Sequence, residues 1–364
     1  MKVEHGGNMN QLASDFGFRP EDCLDFSANI NPLGLSEKVK SKIIETLDSL
    51  VHYPDVTYSQ SKAALAEYHS CPTQQILLSN GAVEIFYELA RYVKPKKILL
   101  LSPTFMEYEK AFKQVGSDII YHVLEGPHYS WTFESILPNL EKLSSGDLVL
   151  ICNPNNPTGT LVPTATLLLV AEFLRQKGAY LVLDEAFMDF VLDNDAYSMV
   201  AHLKDYQNVI VVRSLTKFYA IPGLRLGYAL SSNTELITAI DEMRPPWTIN
   251  ALADALVPVI LKDSDYHHAT EEWLKSEQEF LYKELTALPD LQVLPPTVNY
   301  IFFGYEGNES LRELLIQEKI FIRSCHNYHH LDDNHYRVAI RSREENCRLI
   351  EAFRSVLGKC DGHV

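Results

Sequence analysis

The chain has 364 residues, of which 46% are hydrophobic and 22% are charged, so it is long enough for one large domain and a smaller one. A formal net charge of −16 excludes a broadly basic protein and argues against nucleic acid as the main partner. The sequence has no apolar run of membrane-spanning length, and its first ten residues lack the apolar core of a signal peptide. We therefore expect a cytoplasmic protein without a membrane partner.

Six cysteines are spread along the chain without the Cys-x-x-Cys spacing that is typical of zinc sites. We expect reduced thiols rather than a disulfide framework, and we expect no bound metal. The acidic net charge also means that an anionic ligand needs a local cluster of arginines in order to bind.

The first hundred residues predict an arm, turns and helices. His5-Gly6-Gly7-Asn8 is a small and polar stretch that predicts an N-terminal arm. Ser36 is a candidate N-cap for a helix that ends near Leu50, and a second helix is predicted over residues 59–69. Apolar residues at helical spacing follow Gly81-Ala82, which places this pair at a helix N-terminus. Free backbone N–H groups there favour an anion, and a simple turn is the alternative.

Four apolar runs predict the strands of an α/β sheet. They are residues 97–101, 148–152, 180–183 and 209–212, and polar residues follow each of them directly. The shorter run of residues 76–78 has the same layout and also predicts a strand. Helical patterns such as residues 165–177 lie between the runs, so we expect a mostly parallel sheet. The carboxyl ends of parallel strands share one edge, where ligands bind in open α/β sheets. The polar residues are therefore predicted to meet around one ligand.

The chain after residue 245 has the pattern of a smaller α+β domain. The predicted helices and strands of this part are residues 250–261, 267–288, 299–303, 311–318, 320–324 and 336–341. We expect residues 1–45 to form the arm and to contribute to the small domain. Residues 46–245 are predicted to form the large domain, and residues 246–364 to complete the small one.

A lysine suited to chemistry follows the fourth apolar run. Ser214, Lys217 and Arg225 come after residues 209–212 in the order Ser-x-x-Lys, with Arg eight residues later. A lysine amine becomes a nucleophile where burial and cationic neighbours lower its pKa, and Arg213 and Arg225 are candidate neighbours. A surface lysine after a strand is the alternative, because single motifs give false positives.

The block SLTKFYAIPGLRLGY resembles the lysine segment of fold-type I enzymes that use pyridoxal phosphate. The resemblance implies an α/β fold of the fold-type I transferase kind, with a mostly parallel sheet in the large domain and a smaller α+β C-terminal domain. It implies pyridoxal 5′-phosphate as the cofactor, Lys217 as the catalytic residue that binds its aldehyde, and Asp184 as the catalytic carboxylate at its ring nitrogen. The other implied cofactor-binding residues are Tyr53, Gly81, Ala82, Phe105, Asn156, Ser214, Thr216 and Arg225.

Each of these residues has an ordinary structural alternative. Asp184 at a strand end is suited to capping a helix, and Asn156 in Pro-Asn-Asn-Pro-Thr-Gly is suited to a turn. Phe105 is an aromatic residue of a kind that often belongs to the core. Tyr53 lies in a Tyr-Pro turn, although the resemblance implies that it reaches the phosphate from a neighbouring subunit, which would make a homodimer with shared active sites. The joint occurrence of these residues, in this order, favours the cofactor site.

Over almost its whole length the chain resembles two sister groups, the histidinol-phosphate aminotransferases and the threonine-phosphate decarboxylases. The segments HGGN, DFSANINPLG, IRSC and RVAIRS favour the second group. Phe187 departs from the aminotransferase pattern, which usually has a tyrosine whose hydroxyl reaches the ring oxygen of the cofactor. The resemblance implies that the substrate is contacted by His5, Gly6, Asn29, Asn156, Arg323 and Arg337.

The resemblance therefore implies a pyridoxal phosphate-dependent carboxy-lyase that acts on a small anionic amino-acid phosphate. The implied reaction converts L-threonine O-phosphate into (R)-1-aminopropan-2-yl phosphate and CO₂, and in this family the product supplies the aminopropanol linker of cobalamin. Two alternatives stay open, namely histidinol-phosphate aminotransferase activity and decarboxylation of L-serine O-phosphate. The two phosphorylated amino acids differ by one methyl group, which a pocket discriminates by only about 1–3 kcal/mol.

One further segment, His326-Asn327-Tyr328-His329-His330, is rich in histidine. Two or three histidines in a loop bind metal in some proteins. A solvated loop is the interpretation that the sequence favours.

Overall fold

The computed structural model describes residues 6–360, and its strands form three sheets. The strands are β1 (Leu24–Asp25), β2 (Ile76–Ser79), β3 (Lys97–Ser102), β4 (Asp118–Val123), β5 (Leu148–Cys152), β6 (Tyr180–Asp184), β7 (Val209–Ser214), β8 (Gly227–Leu230), β9 (Leu291–Val293), β10 (Tyr300–Tyr305), β11 (Ile320–Phe321), β12 (Arg323–Ser324) and β13 (His335–Ala339).

The largest sheet has seven strands in the spatial order β2-β8-β7-β6-β5-β3-β4. The neighbours from β7 through β4 pair in parallel, whereas β8 is antiparallel to both β2 and β7. This arrangement confirms the mostly parallel sheet that the alternating pattern predicts. The strands β4 and β8 were not among the predicted strands; β4 lies at one edge of the sheet, and β8 lies between β2 and β7.

The central strands are apolar along their length because both faces of the sheet are covered. Leu181 and Leu183 of β6 belong to the core on one face, and Val182 belongs to the core on the other. Burial of each such side chain stabilises the fold by roughly 1.5–3 kcal/mol. The alternation of side chains along a strand fixes which residues reach each face.

Helices cover both faces of this sheet and complete the C-terminal part. They are α1 (Met9–Asp15), α2 (Glu37–Thr46), α3 (Ser59–His69), α4 (Ala82–Val93), α5 (Glu107–Lys113), α6 (Phe133–Leu140), α7 (Thr164–Lys177), α8 (Thr234–Met243), α9 (Ala251–Ile260), α10 (Ser264–Thr286), α11 (Leu311–Gln317) and α12 (Arg343–Cys360). Among the helices of residues 6–360, none combines the length and the apolar character that a membrane crossing requires.

The C-terminal part of the chain forms an antiparallel sheet in the order β12-β13-β10-β9. The N-terminal strand β1 pairs in parallel with β11, which ties the first residues of the chain to this part. We propose the division into residues 1–45, 46–245 and 246–364 on this basis. The single strand predicted at residues 320–324 is wrong, because β11 and β12 belong to different sheets and Ile322 lies between them.

The two sheets are joined at the edge where the central parallel strands end. The hydroxyl of Tyr300, on β10, donates to the carbonyl of Asn155, which follows β5, at 2.7 Å. Arg337, on β13, donates to Asn156 in the same loop. The carboxyl ends of β5, β6 and β7 are therefore covered by the small antiparallel sheet, and a site forms between them.

Candidate active site

A cavity of about 240 Å³ lies between the carboxyl ends of β5 and β6 and the strands β12 and β13. The predicted site residues that line it are Gly6, Asn29, Ala82, Phe105, Asn156, Asp184, Lys217, Arg323 and Arg337. The strand ends that the sequence predicts to meet around one ligand therefore do so.

Lys217 follows the end of β7 by three residues, and its amine faces this cavity. Its Nζ donates to Ser214 Oγ at 3.1 Å and lies 5.2 Å from the centroid of the Phe187 ring. Burial lowers the pKa of the Lys217 amine, Asp184 opposes this shift, and Arg225 adds to it. A lysine with a lowered pKa has a larger neutral fraction, which is the form that attacks a carbonyl group.

Asp184 ends β6 and is buried. Its Oδ2 accepts a hydrogen bond from the Tyr108 hydroxyl at 2.6 Å, and its Oδ1 accepts one from the backbone N–H of Ala186 at 2.9 Å. Burial raises the pKa of the Asp184 carboxyl, whereas Tyr108 and then Lys217 lower it. Both hydrogen bonds come from neutral donors, so a cationic N–H in the cavity would stabilise the ionised carboxylate further.

At the end of the site away from Asp184 lies the start of α4. Gly81 is the N-cap of α4 with φ +87°, and a Cβ on this residue would lie 2.3 Å from Arg225 Nη2. A Cβ on Gly227 would lie 2.5 Å from the backbone nitrogen of Ala82. Glycine at both positions therefore lets a guanidinium group and a helix N-terminus converge. This combination suits a phosphate.

Two hydroxyls lie at the same end of the site. Ser214 pairs with Gly227 across β7 and β8, which places it beside the start of α4. Its Oγ lies 2.9 Å from Thr216 Oγ1, and both side chains are buried. Hydroxyl donors next to an arginine and a helix N-terminus complete a phosphate-binding set.

Asn156 lies in the loop after β5 and faces the small sheet through its side-chain oxygen. This Oδ1 accepts from Arg337 Nη1 at 2.5 Å and from the Tyr328 hydroxyl at 3.2 Å. Because both bonds use the oxygen, the amide N–H groups are left to donate to a ligand in the cavity. The turn alternative does not account for these two contacts.

Arg337 is a buried cation held by neutral acceptors. Its Nη2 donates to the carbonyl of Ser27 at 3.0 Å, its guanidinium carbon lies 5.2 Å from the Tyr300 ring centroid, and its buried Nε has no hydrogen-bond partner within residues 6–360. Arg323 lies in the same cavity, with its guanidinium 5.4 Å from the centroid of the Tyr328 ring. Two guanidinium groups in one cavity suit a ligand with two anionic groups.

The arm closes the cavity from the N-terminal side. A Cβ on Gly6 would lie 2.2 Å from the carbonyl oxygen of Ser27, so no other residue fits there without a shift. The backbone N–H of Gly7 donates to Ser27 Oγ at 2.9 Å. Asn29 is buried beside the arm, and its Oδ1 has no partner in the described part of the chain. His5, the other predicted arm residue, lies outside the described residues.

Residues 21–353 match the sequence profile of the family described as Aminotransferase class I and II. The chain belongs to the aminotransferase class I and II family. A threonine-phosphate decarboxylase of Salmonella typhimurium is 40% identical over 97% of this chain and 96% of its own length. An adenosylcobalamin biosynthesis bifunctional protein of Leptospira interrogans is 32% identical over 97% of this chain and 41% of its own length.

Among solved structures, a histidinol-phosphate aminotransferase from Clostridium acetobutylicum is 31% identical. It covers 92% of this chain and 99% of its own length, with a TM-score of 0.87. This similarity and the family membership confirm the predicted fold-type I architecture.

Membership in the aminotransferase class I and II family also confirms pyridoxal 5′-phosphate as the cofactor. The residues of the cavity fit this group. A phosphate-binding set lies at the start of α4, the buried carboxylate of Asp184 is suited to a protonated ring nitrogen, and the amine of Lys217 is within the same cavity. The amide of Asn156 supplies donors for a ring oxygen, and Phe105 lines the cavity as a candidate for stacking.

Arg213 does not lie beside Lys217, so the expectation that it is a cationic neighbour of the lysine amine is wrong. Arg213 lies one residue before Ser214 on β7, so its side chain points to the opposite face of the sheet. There its guanidinium pairs with Glu185 at 2.9 Å and with Asp189 at 2.7 Å. Its charge is therefore used in a buried ion-pair network beneath the site.

Tyr53 does not line the cavity of its own chain. Its side chain is 79% exposed, and its ring lies 4.5 Å from that of Trp247. A second cavity of about 640 Å³ lies beside Trp247, but Lys217 and Asp184 are not among its residues, so it is not the site of the lysine chemistry. The role of Tyr53 in a neighbouring subunit stays a prediction.

Two tyrosines of the site, Tyr108 and Tyr328, were not predicted from the sequence to belong to it. The histidines of residues 326–330 are exposed, as a solvated loop predicts, whereas Tyr328 in the same segment is buried. His329 contacts Glu109 and His330 contacts Ser102. Within residues 6–360, the structure has no group of His, Cys, Asp or Glu side chains that suits a metal ion.

Proposed function

We propose that this protein decarboxylates L-threonine O-phosphate to (R)-1-aminopropan-2-yl phosphate and CO₂. The observation that carries the proposal is the presence of Arg323 and Arg337 in the same cavity as Lys217 and Asp184. L-threonine O-phosphate has two anionic groups, a phosphate and a carboxylate, and each matches a guanidinium. The 40% identity to a threonine-phosphate decarboxylase over nearly the whole chain supports the same substrate.

The cofactor-binding residues prepare the site for loss of CO₂. When bound, pyridoxal phosphate supplies an electron-withdrawing ring that accepts the electron pair left on Cα. Asp184 keeps a proton on the ring nitrogen, because its buried carboxylate is stabilised by a cationic partner. Lys217 binds the aldehyde through its amine, which burial helps to keep neutral.

The substrate-binding residues decide which bond breaks. The bond to Cα that lies perpendicular to the ring breaks most readily, so the carboxylate must be held out of the ring plane. We propose that Arg323 and Arg337 bind the two anionic groups and that Asn156 donates through its amide nitrogen. His5, Gly6 and Asn29 are proposed to complete the substrate contacts from the arm side.

After CO₂ leaves, a proton must return to Cα. With the substrate bound to the cofactor in its place, the amine of Lys217 would be free within the same cavity. We propose that Lys217 delivers this proton and is then ready to bind the cofactor again. The product supplies the aminopropanol linker of cobalamin, and this agrees with the similarity to an adenosylcobalamin biosynthesis protein.

Two other reactions compete with this proposal. Histidinol-phosphate aminotransferase activity is considered because a solved structure of that activity is 31% identical. Decarboxylation of L-serine O-phosphate is considered because the substrates differ by one methyl group. The test measures CO₂ release from each phosphorylated amino acid without a keto acid, and glutamate formation from histidinol phosphate plus 2-oxoglutarate.

The proposal predicts CO₂ from L-threonine O-phosphate in amounts that far exceed the enzyme, and no glutamate. Glutamate without CO₂ would reject the decarboxylase. Faster CO₂ release from L-serine O-phosphate would keep the reaction but change the substrate.

We also propose that the enzyme is a homodimer in which Tyr53 serves the site of the neighbouring subunit. The surface around Tyr53 is rich in exposed apolar side chains, namely Ile44, Leu47, Leu50, Val51, Val56 and Trp247. An apolar surface of this kind marks an interaction site in a soluble protein. We propose that a second copy of the chain binds this surface, because such a dimer would also allow Tyr53 to contact the cofactor phosphate in the neighbouring subunit.

A further inference from the structure

The histidine-rich segment connects the small sheet to the large one. We call residues 325–331, which follow β12, the clasp segment. His329 Nε2 lies 2.5 Å from Glu109 Oε2 on α5. His330 Nδ1 lies 2.9 Å from Ser102 Oγ at the end of β3, and the same hydroxyl donates to the carbonyl of His329 at 2.9 Å. These contacts hold the clasp segment against the carboxyl end of the large sheet.

An aromatic side chain of the large sheet supports the outer side of the clasp segment. The ring centroid of Tyr121, on β4, lies 5.0 Å from that of His329 and 5.8 Å from that of His330. Glu109 is mostly buried and also pairs with Lys113. The position of the segment is therefore set by packing as well as by polar contacts.

The inner side of the clasp segment presents Tyr328 to the active site. Tyr328 is 4% exposed and packs with Leu294, Phe302 and Cys325. Its hydroxyl reaches across to the large sheet and donates to Asn156 Oδ1 at 3.2 Å. Its ring also lies beneath the guanidinium of Arg323, at 5.4 Å. One side chain thus contacts two residues that line the cavity.

The contact with Asn156 adds a second anchor to its amide oxygen and so fixes the plane of the amide. A carboxamide oxygen has two lone pairs, and Tyr328 and Arg337 use both. If the Tyr328 bond is lost, one lone pair is free and the amide is held by Arg337 alone. The amide plane then has more freedom to rotate, so its N–H groups are directed less precisely at a ligand in the cavity.

We propose that Tyr328 is a positioning residue, seated by the clasp segment, that directs the amide of Asn156 at the cofactor and carries Arg323 on its ring. The inference rests on the proposed function only where turnover is measured. The hydroxyl contacts Asn156 and also interacts with Arg323, whereas the ring lies beneath the guanidinium of Arg323, so Tyr328→Phe and Tyr328→Leu have different consequences.

The test compares Tyr328→Phe with Tyr328→Leu in the cofactor-loaded enzyme. Without substrate, a donor to the ring oxygen stabilises its deprotonated form, so Tyr328→Phe is expected to raise the pH midpoint of the cofactor's visible absorbance change by about half a unit or more. With L-threonine O-phosphate, Tyr328→Phe is expected to lower kcat by about 3–10-fold, with a smaller rise in KM than Tyr328→Leu. Tyr328→Leu is expected to raise KM more, because it also removes the aromatic ring that lies beneath the guanidinium of Arg323.

The role of the clasp segment in seating Tyr328 is tested by two matched substitutions in α5. Glu109→Gln removes the charge that faces His329, whereas Lys113→Met removes only the exposed partner of Glu109. We expect Glu109→Gln to shift the absorbance midpoint in the same direction as Tyr328→Phe, by a smaller amount, and Lys113→Met to leave it unchanged.

An unchanged midpoint and kcat in a folded Tyr328→Phe enzyme would overturn the inference. A shifted midpoint in an enzyme that releases no CO₂ from any phosphorylated amino acid would support the positioning role and reject the proposed function.

Discussion

Asp184 is buried and Lys217 is half-buried, and burial shifts both pKa values in the direction that favours the uncharged forms. Each residue also favours the charged form of the other, which opposes the effect of burial. Without a ligand, this attraction only partly offsets the burial of the two charges. Pyridoxal phosphate satisfies both requirements, because it offers an aldehyde to the amine and a ring nitrogen to the carboxylate. The two residues therefore make the site reactive toward the cofactor but lower the stability of the cofactor-free protein.

Lys217→Ala removes the amine that binds the cofactor aldehyde and that we propose returns the proton to Cα. We expect turnover to fall by at least about a thousandfold and the visible absorbance of the bound cofactor to change. Steady-state CO₂ release and an absorbance spectrum check both outcomes. The control is Lys262→Ala, whose exposed lysine pairs with Glu67 away from the cavity and whose loss leaves both readouts unchanged. A fully active Lys217→Ala enzyme would contradict the assignment.

The residues that the sequence identified are those that follow strands in recognisable motifs. Lys217, Asp184 and Asn156 each follow or end an apolar run, and the parallel sheet brings such positions to one edge. Tyr108 was not predicted, because it lies in the short helix α5 and only the tertiary register places its hydroxyl on Asp184. Tyr328 was missed for a similar reason, since its partner Asn156 is distant in sequence.

At the scale of elements, the close approach of β8 to the start of α4 builds the phosphate end of the site. Gly227→Ala is expected to displace this helix start, since the new Cβ would lie 2.5 Å from the nitrogen and 2.8 Å from the Cα of Ala82. Overpacking of this kind costs about 1–3 kcal/mol, so we expect cofactor affinity to weaken by about tenfold or more. Fluorescence or absorbance titration of cofactor-free protein measures the dissociation constant.

The matched control for Gly227→Ala is Gly223→Ala. A Cβ on Gly223 would meet no atom within 4 Å, so its cofactor affinity should equal that of the parent. Equal affinities for the two variants and the parent would show that the helix start does not depend on this contact.

The contact between α3 and β8 gives the fold a pH dependence. His69, in the last turn of α3, has its Nε2 2.7 Å from the hydroxyl of Tyr228 on β8, and burial lowers its pKa to about 3, with Arg213 adding to the shift. Below its ordinary pKa of about 6.5 the unfolded chain binds a proton at His69 and the folded chain does not, so stability falls as the pH falls.

Between pH 7 and pH 5, His69 is expected to account for a loss of up to about 2 kcal/mol in the free energy of unfolding. His69→Gln should make the stability less sensitive to pH in this range, while it keeps a polar partner for Tyr228. Denaturant unfolding at both pH values measures the difference. Equal pH sensitivity in the parent and the variant would show that His69 takes up its proton in the folded state.

The elements that the sequence did not predict are those whose register depends on distant pairing. The strand β8 is four residues long and starts with a glycine, and it forms because it pairs with both β2 and β7. The strand β4 is only partly buried along its length, so it lacks the continuous apolar run of the central strands. Helix starts were close, because caps and periodicity are local signals, as at Ser36, which caps α2. The helix expected to end near Leu50 ends at Thr46, and a 3₁₀ helix continues to Val51.

At the scale of the whole molecule, the proposed homodimer predicts complementation between two defective subunits. Tyr53→Ala is expected to lower activity by about tenfold or more, because it removes a hydrogen bond to the phosphate of the neighbouring site. Lys217→Ala abolishes activity in its own subunit. A mixed dimer of the two variants has one site that contains both a native Lys217 and a native Tyr53.

Equal mixing of the two variants by co-expression should restore about a quarter of the native sites, since half of the dimers are mixed and each has one complete site. Purification of the mixed dimer with two affinity tags, followed by CO₂ release, measures this directly. A mixed dimer without restored activity would contradict a shared site, and a monomer in light scattering would contradict the dimer itself.

The proposed reaction requires that the carboxylate of L-threonine O-phosphate, rather than its α-hydrogen, leaves Cα first. The most direct measurement follows L-threonine O-phosphate labelled with ¹³C in the carboxyl group by NMR, with the cofactor-loaded enzyme and without a keto acid. We predict that the label appears in CO₂ and bicarbonate while an unlabelled aminopropanol phosphate accumulates over many turnovers. Retention of the label in a keto acid, after at most one turnover per enzyme, would contradict the decarboxylase and identify an aminotransferase.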